Sequence, residues 1–171
     1  KHATLSNLYG VDIMREAVEI ARLRLFLKLV ATIDDRDDLE PLPDLDFNIK
    51  AGNALVGALT EDSLEKDVAD WYLKPRVAEV RKSAARIALA YSAFREGQES
   101  GDIDPVHRRQ LVDLLNEVRT HVDELYHSAI QFTQSEPLPL ASWVETHHPF
   151  HWFVEFPEVF HQGGFDVVIG N

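Results

Sequence analysis

Residues 7–13 read NLYGVDI, a short apolar run that closes on the acid Asp12 and leads directly into a helical pattern. The run shows no alternation of polar and apolar residues, so it predicts a buried strand of the parallel type. Apolar side chains then recur at helical spacing over residues 14–33, which predicts a helix. This order of strand, acid and helix indicates an α/β fold.

Two later stretches predict further strands, FNIKAGN at 47–53 and FDVVIG at 165–170. An acidic, proline-containing segment at 34–46 predicts a solvated loop. Residues 135–143 predict a connection broken by prolines, and the aromatic stretch 147–164 predicts irregular structure. The predicted order is therefore strand, helix, strand, a long helical segment, and strand.

The long helical segment contains three predicted helices, at residues 61–74, 76–96 and 105–133. Apolar residues in the second and third recur with a spacing near 3.5, which is typical of helices packed side by side. GQESGDIDP at 97–105 predicts the turn between them, with Asp104 as N-cap and Pro105 in the first helical position. These features predict an antiparallel helical hairpin.

Composition limits the classes of function. The chain has 171 residues and a formal net charge of −12, which makes it a poor generic binder of DNA because phosphate contacts need Lys and Arg. It has no cysteine, so disulfides and thiolate metal sites are excluded. No apolar stretch approaches the ~18 residues of a membrane span, and the first residues lack a signal pattern. We expect a cytoplasmic protein that does not enter a membrane.

Two polar residues follow the predicted strands. Asp12 stands where a doubly wound sheet binds the two hydroxyls of a ribose, although an acid there can also cap the following helix. Asn53 ends the sequence AGN (51–53), whose small residues let a ligand approach the backbone. Its side chain can bind an adenine edge, and a plain tight turn is the alternative interpretation.

A metal site is a competing interpretation of four histidines, His147, His148, His151 and His161. His147 and His151 have the i, i+4 spacing of a helical metal site. Pro149 breaks the helix that such a site needs, and no carboxylate is placed as a third ligand. We therefore expect no metal.

A metal-dependent nuclease core is a further alternative, because Asp44 and Asp46 precede Lys50. Asn48 occupies the position where such a core has an acid. Since Mg²⁺ needs two or more carboxylates, this alternative is disfavoured.

Together, four segments resemble a known family. GGFDVVIGN (163–171) resembles the lead-in to the Asn-Pro-Pro-aromatic motif of N6-adenine DNA methyltransferases, and PFHWFVEFPEVF (149–160) resembles the aromatic segment that precedes it. LYGVDI (8–13) and IKAGNAL (49–55) are similar to the second and third motifs. The aromatic segment is typical of large restriction–modification enzymes of the Eco57I type, which combine modification and cleavage on one polypeptide.

The resemblance covers about residues 1–58 and 145–171. It implies a Rossmann-like core dependent on S-adenosylmethionine, with a partial sheet and a large helical insertion. The implied domains are a cofactor-binding part of the core at 1–60, the helical insertion at 61–142, and an aromatic segment with its strand at 143–171.

The same resemblance implies roles for single residues. By position in the motifs, the cofactor-binding residues are Asp12, Ile13, Asn53, Ala54 and Leu55. Asp12 is implied to bind the ribose of S-adenosylmethionine, with Ile13 beside the adenine and Asn53 at its edge. Asn171 is implied to be the catalytic residue, which accepts a hydrogen bond from the amino group of an adenine flipped out of the duplex.

Two parts of the family pattern are missing from these residues, the Pro-Pro-aromatic sequence after Asn171 and the Gly-rich first motif. In the family, the strand of that first motif lies between the strands at 8–13 and 165–170. We therefore expect an internal fragment, inactive alone, that acts on double-stranded DNA through a full-length enzyme. The alternatives are a helical interaction module that pairs with a second copy of the chain, and a generic nucleotide-binding fold.

Overall fold

The computed structural model describes five stretches of the chain, residues 7–32, 44–68, 73–100, 104–131 and 138–170. Within them the chain forms a small parallel sheet and a larger helical body. No helix in these stretches is long and apolar enough to cross a membrane. Asn171 and most of the predicted loop at 34–46 lie outside the described residues.

Strands β1 (Gly10–Asp12) and β2 (Ile49–Ala51) pair in parallel over their whole length. The two predicted strands and their parallel direction are therefore confirmed, although each strand is shorter than predicted. β1 is half-buried rather than buried, because in the described part of the chain it has a neighbouring strand on one edge only.

Helix α1 (Arg15–Val30) connects the two strands and packs against both. Val18 is its buried residue against the sheet. Arg22 ties the helix to β2, since its Nε donates to the Ile49 carbonyl at 2.9 Å and its guanidinium pairs with Asp46 at 2.8 Å. The predicted strand–helix–strand unit is thus present, with an arginine joining its helix to its second strand.

The remaining helices are α2 (Glu61–Asp67), α3 (Lys74–Ser100), α4 (Pro105–Gln131), α5 (Leu140–His147), α6 (Trp152–Glu155) and α7 (Pro157–His161). α3 and α4 pack along each other. The ion pair between Arg76, near the start of α3, and Glu124, near the end of α4, shows that the two helices are antiparallel. The predicted helical hairpin is confirmed.

The apolar seam of the hairpin is filled from within the chain. Its buried residues are Val77, Val80, Ala84, Ile87, Tyr91, Phe94, Leu111, Leu115, Val118, Val122 and Leu125. They form one cluster with Leu64 of α2 and with Phe153 and Val154 of α6. The seam is therefore used inside one chain, as the hairpin predicts, and not between two chains as in the alternative of a self-pairing helical module.

Several predicted boundaries in the helical segment are wrong. α2 ends at Asp67, short of the predicted 74, because Val68 leaves the helical conformation. α3 continues to Ser100 through the first part of the predicted turn, and its Gln98 is buried. The start of α4 is as predicted, since the Val106 amide donates to Asp104 Oδ1 at 2.8 Å.

Helices replace two segments predicted to be irregular. α5 begins at Leu140, inside the predicted connection at 135–143, and it buries Trp143. α6 and α7 occupy much of 147–164, separated at Phe156 and restarted by Pro157 in the first turn. α6 and α7 are too short to show a helical period in the sequence, and burial of their apolar side chains stabilises them instead.

The predicted third strand at 165–170 is wrong as a description of these residues, which form no strand. Phe165 packs on the aromatic cluster, while Val167, Val168 and Ile169 are 78%, 72% and 92% exposed. A strand is defined by hydrogen bonds to a neighbour, and no described strand lies beside this segment. The described chain is therefore mostly helical with a two-stranded parallel sheet, and the Rossmann-like core stays a prediction.

Aromatic rings cover one face of the sheet. Phe150, Phe156 and Val159 form a buried cluster against which Tyr9 and Val11 pack. The rings of Tyr9 and Phe156 meet edge to face with their centroids 5.2 Å apart, a favourable geometry. The aromatic segment thus forms the layer beneath β1.

A group of three charges, in which Lys50 and Glu155 are buried and Arg119 is partly exposed, joins the sheet to the helices. Lys50 of β2 donates from Nζ to Glu155 Oε2 at 2.9 Å and to the Glu155 carbonyl at 2.7 Å. Arg119 of α4 donates to the two oxygens of the same carboxylate at 2.6 and 3.0 Å. Glu155 thereby connects β2, α4 and α6 through one side chain.

The two cations decide the ionisation of Glu155. Burial works to raise the pKa of Glu155, but the attraction of Lys50 and Arg119 and their hydrogen bonds outweigh it and hold that pKa at about 2. Burial, the largest influence, together with repulsion from Arg119 and Arg22 lowers the pKa of Lys50 despite the attraction of Glu155. The carboxylate is therefore the ion on which the group depends.

Replacing Glu155 by Gln leaves Lys50 and Arg119 without their counter-ion, so we expect the free energy of unfolding at neutral pH to fall by about 3 kcal/mol. The folded pKa lies below the usual value near 4.5, so this stabilisation is present above pH ~4.5 and is lost as the pH falls toward 2. Urea unfolding at a series of pH values measures both effects. The exposed Glu79→Gln is the control, and equal stability of E155Q and wild type at neutral pH would contradict the assignment.

Candidate functional site

The predicted cofactor residues meet at the carboxyl edge of the sheet. Asp12 lies opposite Ala51 in the parallel register, and the Gly52 amide donates to the Asp12 carbonyl at 2.9 Å. Ile13 follows β1, and the loop that contains Asn53 follows β2. Because the strands are parallel and adjacent, their following residues share one edge.

Asp12 is exposed and keeps part of its carboxylate available. Its Oδ1 accepts a hydrogen bond from the Met14 amide at 2.8 Å, which orients the side chain at the start of α1. Oδ2 accepts no hydrogen bond within the described residues. Met14 is the N-cap residue of α1 and the helix has no side-chain cap, so the contact of Asp12 is a local turn and the helix-capping interpretation is wrong. The second carboxylate oxygen stays available to a ligand.

Asn53 forms a tight turn and also keeps a free group. Its backbone amide donates to the His148 carbonyl at 2.7 Å, and its Oδ1 accepts from the Leu55 amide at 3.1 Å. The side-chain NH₂ has no partner in the described part of the chain. The loop tip is open, since Leu55 is 94% exposed and Ala54 is exposed beside it.

The loop at 53–58 is bound along its length by the residues that begin the aromatic segment. Asn53 and Pro149 form a parallel bridge, the Phe150 amide donates to the Val56 carbonyl at 2.7 Å, and the Trp152 amide donates to the Ala58 carbonyl at 3.0 Å. The indole of Trp152 reaches the Ala54 carbonyl at 3.0 Å. Sequence reasoning missed this pairing, because no local pattern links segments about 95 residues apart.

A cavity of about 830 Å³ lies between α1, β2 and α4, but it does not coincide with the predicted site. Of the predicted residues only Ile13 lines it. Three of its four arginines are already paired: Arg22 with Asp46, Arg108 with Asp46 at 2.6 Å and with Asp44, and Arg119 with Glu155, which leaves Arg15 alone without a partner among the described residues. The cavity therefore offers no cluster of free cations for a phosphate, and we place the candidate site at the exposed edge instead.

The histidines of the metal interpretation are used in local contacts. His147 Nδ1 bonds the Trp143 carbonyl at 3.0 Å, and His148 ends α5 with a left-handed backbone, φ 48°. His151 is buried against Asp123, and His161 lies at the end of α7. Among the described residues no group of three or more His, Cys, Asp or Glu is placed to hold a metal ion.

The residues of the nuclease interpretation do not converge. Asp44 and Asp46 form ion pairs with Arg108, whereas Lys50 is buried with Glu155. Asn48 donates to the Leu8 carbonyl at 3.0 Å and thereby joins β2 to the chain before β1. These side chains hold the sheet in place.

Comparison with known proteins agrees with the motifs. The family model described as Eco57I restriction-modification methylase matches residues 6–171. A curated relative from Methanocaldococcus jannaschii, provisionally named a type II restriction enzyme and methyltransferase, is 28% identical over an alignment of 222 positions. The alignment covers 98% of this chain and 18% of the relative, so the chain spans less than a fifth of that protein. No solved structure matches. The chain belongs to the Eco57I restriction-modification methylase family.

Proposed function

We propose that this chain is the cofactor-binding part of an S-adenosylmethionine-dependent DNA methyltransferase, which modifies adenine at N6 within a cytoplasmic restriction–modification enzyme. The observation that carries the proposal is the meeting of Asp12 with the Asn53–Leu55 loop at one carboxyl edge of a parallel strand pair. Family membership supplies the reaction class.

The free groups at this edge fit the nucleoside half of S-adenosylmethionine. Asp12 has a carboxylate oxygen for the ribose hydroxyls, and Asn53 has an amide NH₂ for the adenine edge. Ile13 and Leu55 are 55% and 94% exposed, so they can cover the two faces of a base. The cofactor supplies an electrophilic methyl group when bound, and these residues orient its nucleoside.

The role of Asn171 rests on the family resemblance, since this residue lies outside the described part of the chain. We assign its side-chain carbonyl to accept a hydrogen bond from the amino group of a flipped adenine. This bond holds the amino nitrogen in position for direct methyl transfer. The net charge of −12 is the reason why we assign the duplex-binding surface to other parts of the full-length enzyme.

A non-catalytic interaction module is the second candidate, and one observation favours it. The outward face of α1 carries four exposed apolar residues at a spacing of three and four, Ile20, Leu23, Leu27 and Val30. This face points away from the buried Val18 and has the spacing of a helix that packs against another helix. It is a surface on which a second copy of the chain can pack.

Asp12→Ala in the full-length enzyme should weaken S-adenosylmethionine binding by about ten- to hundredfold, because hydrogen bonds to a charged carboxylate are lost. Asp12→Asn keeps an oxygen for the Met14 amide and removes the charge, so it separates the role of the charge from that of the turn contact. Calorimetry measures the affinity, with the exposed Asp113→Ala as control. Unchanged affinity in D12A would refute the role.

Asn171→Ala in the full-length enzyme should abolish methylation and leave cofactor affinity largely intact, because the residue is assigned to the target base. Transfer of a labelled methyl group to DNA measures the first effect and calorimetry the second. A variant that methylates at a rate near wild type would overturn the catalytic assignment.

Sedimentation over a range of concentrations separates the two candidate functions. An interaction module predicts a dimer at every concentration that Leu23→Glu converts to a monomer, because a buried unpaired charge is costly. Leu89→Glu is the matched control, since Leu89 is 74% exposed on α3 and outside the stripe. A wild-type chain that sediments as a monomer would reject this candidate.

A further inference from the structure

The loop of Asn53, Ala54 and Leu55 is anchored at its far end by a buried histidine. The Ala58 amide donates to His151 Nδ1 at 3.0 Å, and His151 Nε2 lies 2.9 Å from Asp123 Oδ1. His151 is 0% exposed and Ala58 is 0% exposed. One imidazole thus connects the loop to helix α4.

The hydrogen bonds determine which nitrogen of His151 carries the proton. Nδ1 accepts from a backbone N–H, so it presents a lone pair and is unprotonated. Nε2 is then the protonated nitrogen and donates to Asp123. Asp123 therefore selects the tautomer and the ring orientation that the Ala58 amide requires.

The backbone of the loop at Gly57 lies in close contact with Phe150 and His151. A Cβ at Gly57 would lie 2.5 Å from the Phe150 carbonyl oxygen and 3.1 Å from His151 Nδ1. Gly57 also has φ +132°, which disfavours any other residue. The close contact leaves the loop little freedom to shift unless His151 shifts with it.

We propose that Asp123, acting through His151, is a positioning residue for the cofactor loop, so that the helical hairpin is part of the cofactor site. The ligand assignment rests on the proposed function, but the mechanical link does not. Asp123 fixes His151, His151 holds Ala58, and Ala58 ends the turn that presents Asn53, Ala54 and Leu55. Neither Asp123 nor His151 touches the cofactor.

Amide hydrogen exchange on the chain itself tests the link. Asp123→Ala should raise the exchange rates of the Ala58 and Asn53 amides about tenfold. The exchange rates of amides in the core of α4 should change by much less. His121→Gln, an exposed change on the same helix, is the control and should leave the loop unchanged. Equal changes at all amides, or none in the loop, would overturn the proposal.

Two conservative variants distinguish the two bonds of the histidine. His151→Asn can place an oxygen near the position of Nδ1, so it should keep most of the protection of Ala58 but lose the contact to Asp123. His151→Gln can place an amide near Nε2, so it should keep the Asp123 contact and lose the protection of Ala58. If both variants expose Ala58 equally, the histidine acts only as core filling and the link is wrong.

In the full-length enzyme, Asp123→Ala should raise the KM for S-adenosylmethionine about tenfold with little change in kcat or in the KM for DNA. A purely structural role would lower the amount of active enzyme and leave KM unchanged, which would overturn the positioning role. Asp12→Ala reports separately on the proposed function. If Asp12→Ala leaves cofactor affinity intact while Asp123→Ala loosens the loop, the function is wrong and the link stands.

Discussion

The packing of the sheet against the helices depends on the ion pairs that the Glu155 carboxylate forms with Lys50 and Arg119. The carboxylate accepts from Lys50 of the sheet and Arg119 of the hairpin, and its own helix lies in the aromatic segment. A two-stranded parallel sheet is too small to be stable alone, so its position must come from side chains that bind it to a larger core. Loss of this one ion would leave both cations without their counter-ion, and Lys50 would remain as an unpaired charge in a buried position.

The aromatic segment links this support to the candidate site. Phe150 and Phe156 cover β1, while the backbone of 148–152 pairs with the loop that carries Asn53. The segment therefore has two roles. It supports the strand that carries Asp12, and it fixes the loop beside that strand. In the family pattern this segment precedes the catalytic motif, so the proposed cofactor edge and the proposed target site are close in the sequence of this segment.

Local patterns predicted the parts of the fold that local physics determines. α1 and the hairpin have clear helical periods, β1 lies in a short apolar run, and Asp104 with Pro105 is a cap whose function needs only adjacent residues. Pairings between distant residues left no such signal, and Lys50 with Glu155 and Ala58 with His151 are both of this kind. The predicted cofactor residues meet at one edge because parallel strands require it, whereas Asp123 could be found only from the structure.

The strand predicted at 165–170 is wrong for a related reason, because a strand needs a neighbour that local sequence does not show. Val167, Val168 and Ile169 have the branched, apolar side chains of a buried strand, yet they are exposed because nothing described pairs with them. β1 is half-buried for a matching reason, with one edge unpaired among the described residues. In the Rossmann-like core, which stays a prediction, one parallel strand would lie between the two and would bury both. The composition of residues 167–169 is therefore that of a buried strand, although the described part of the chain provides no neighbouring strand to pair with them.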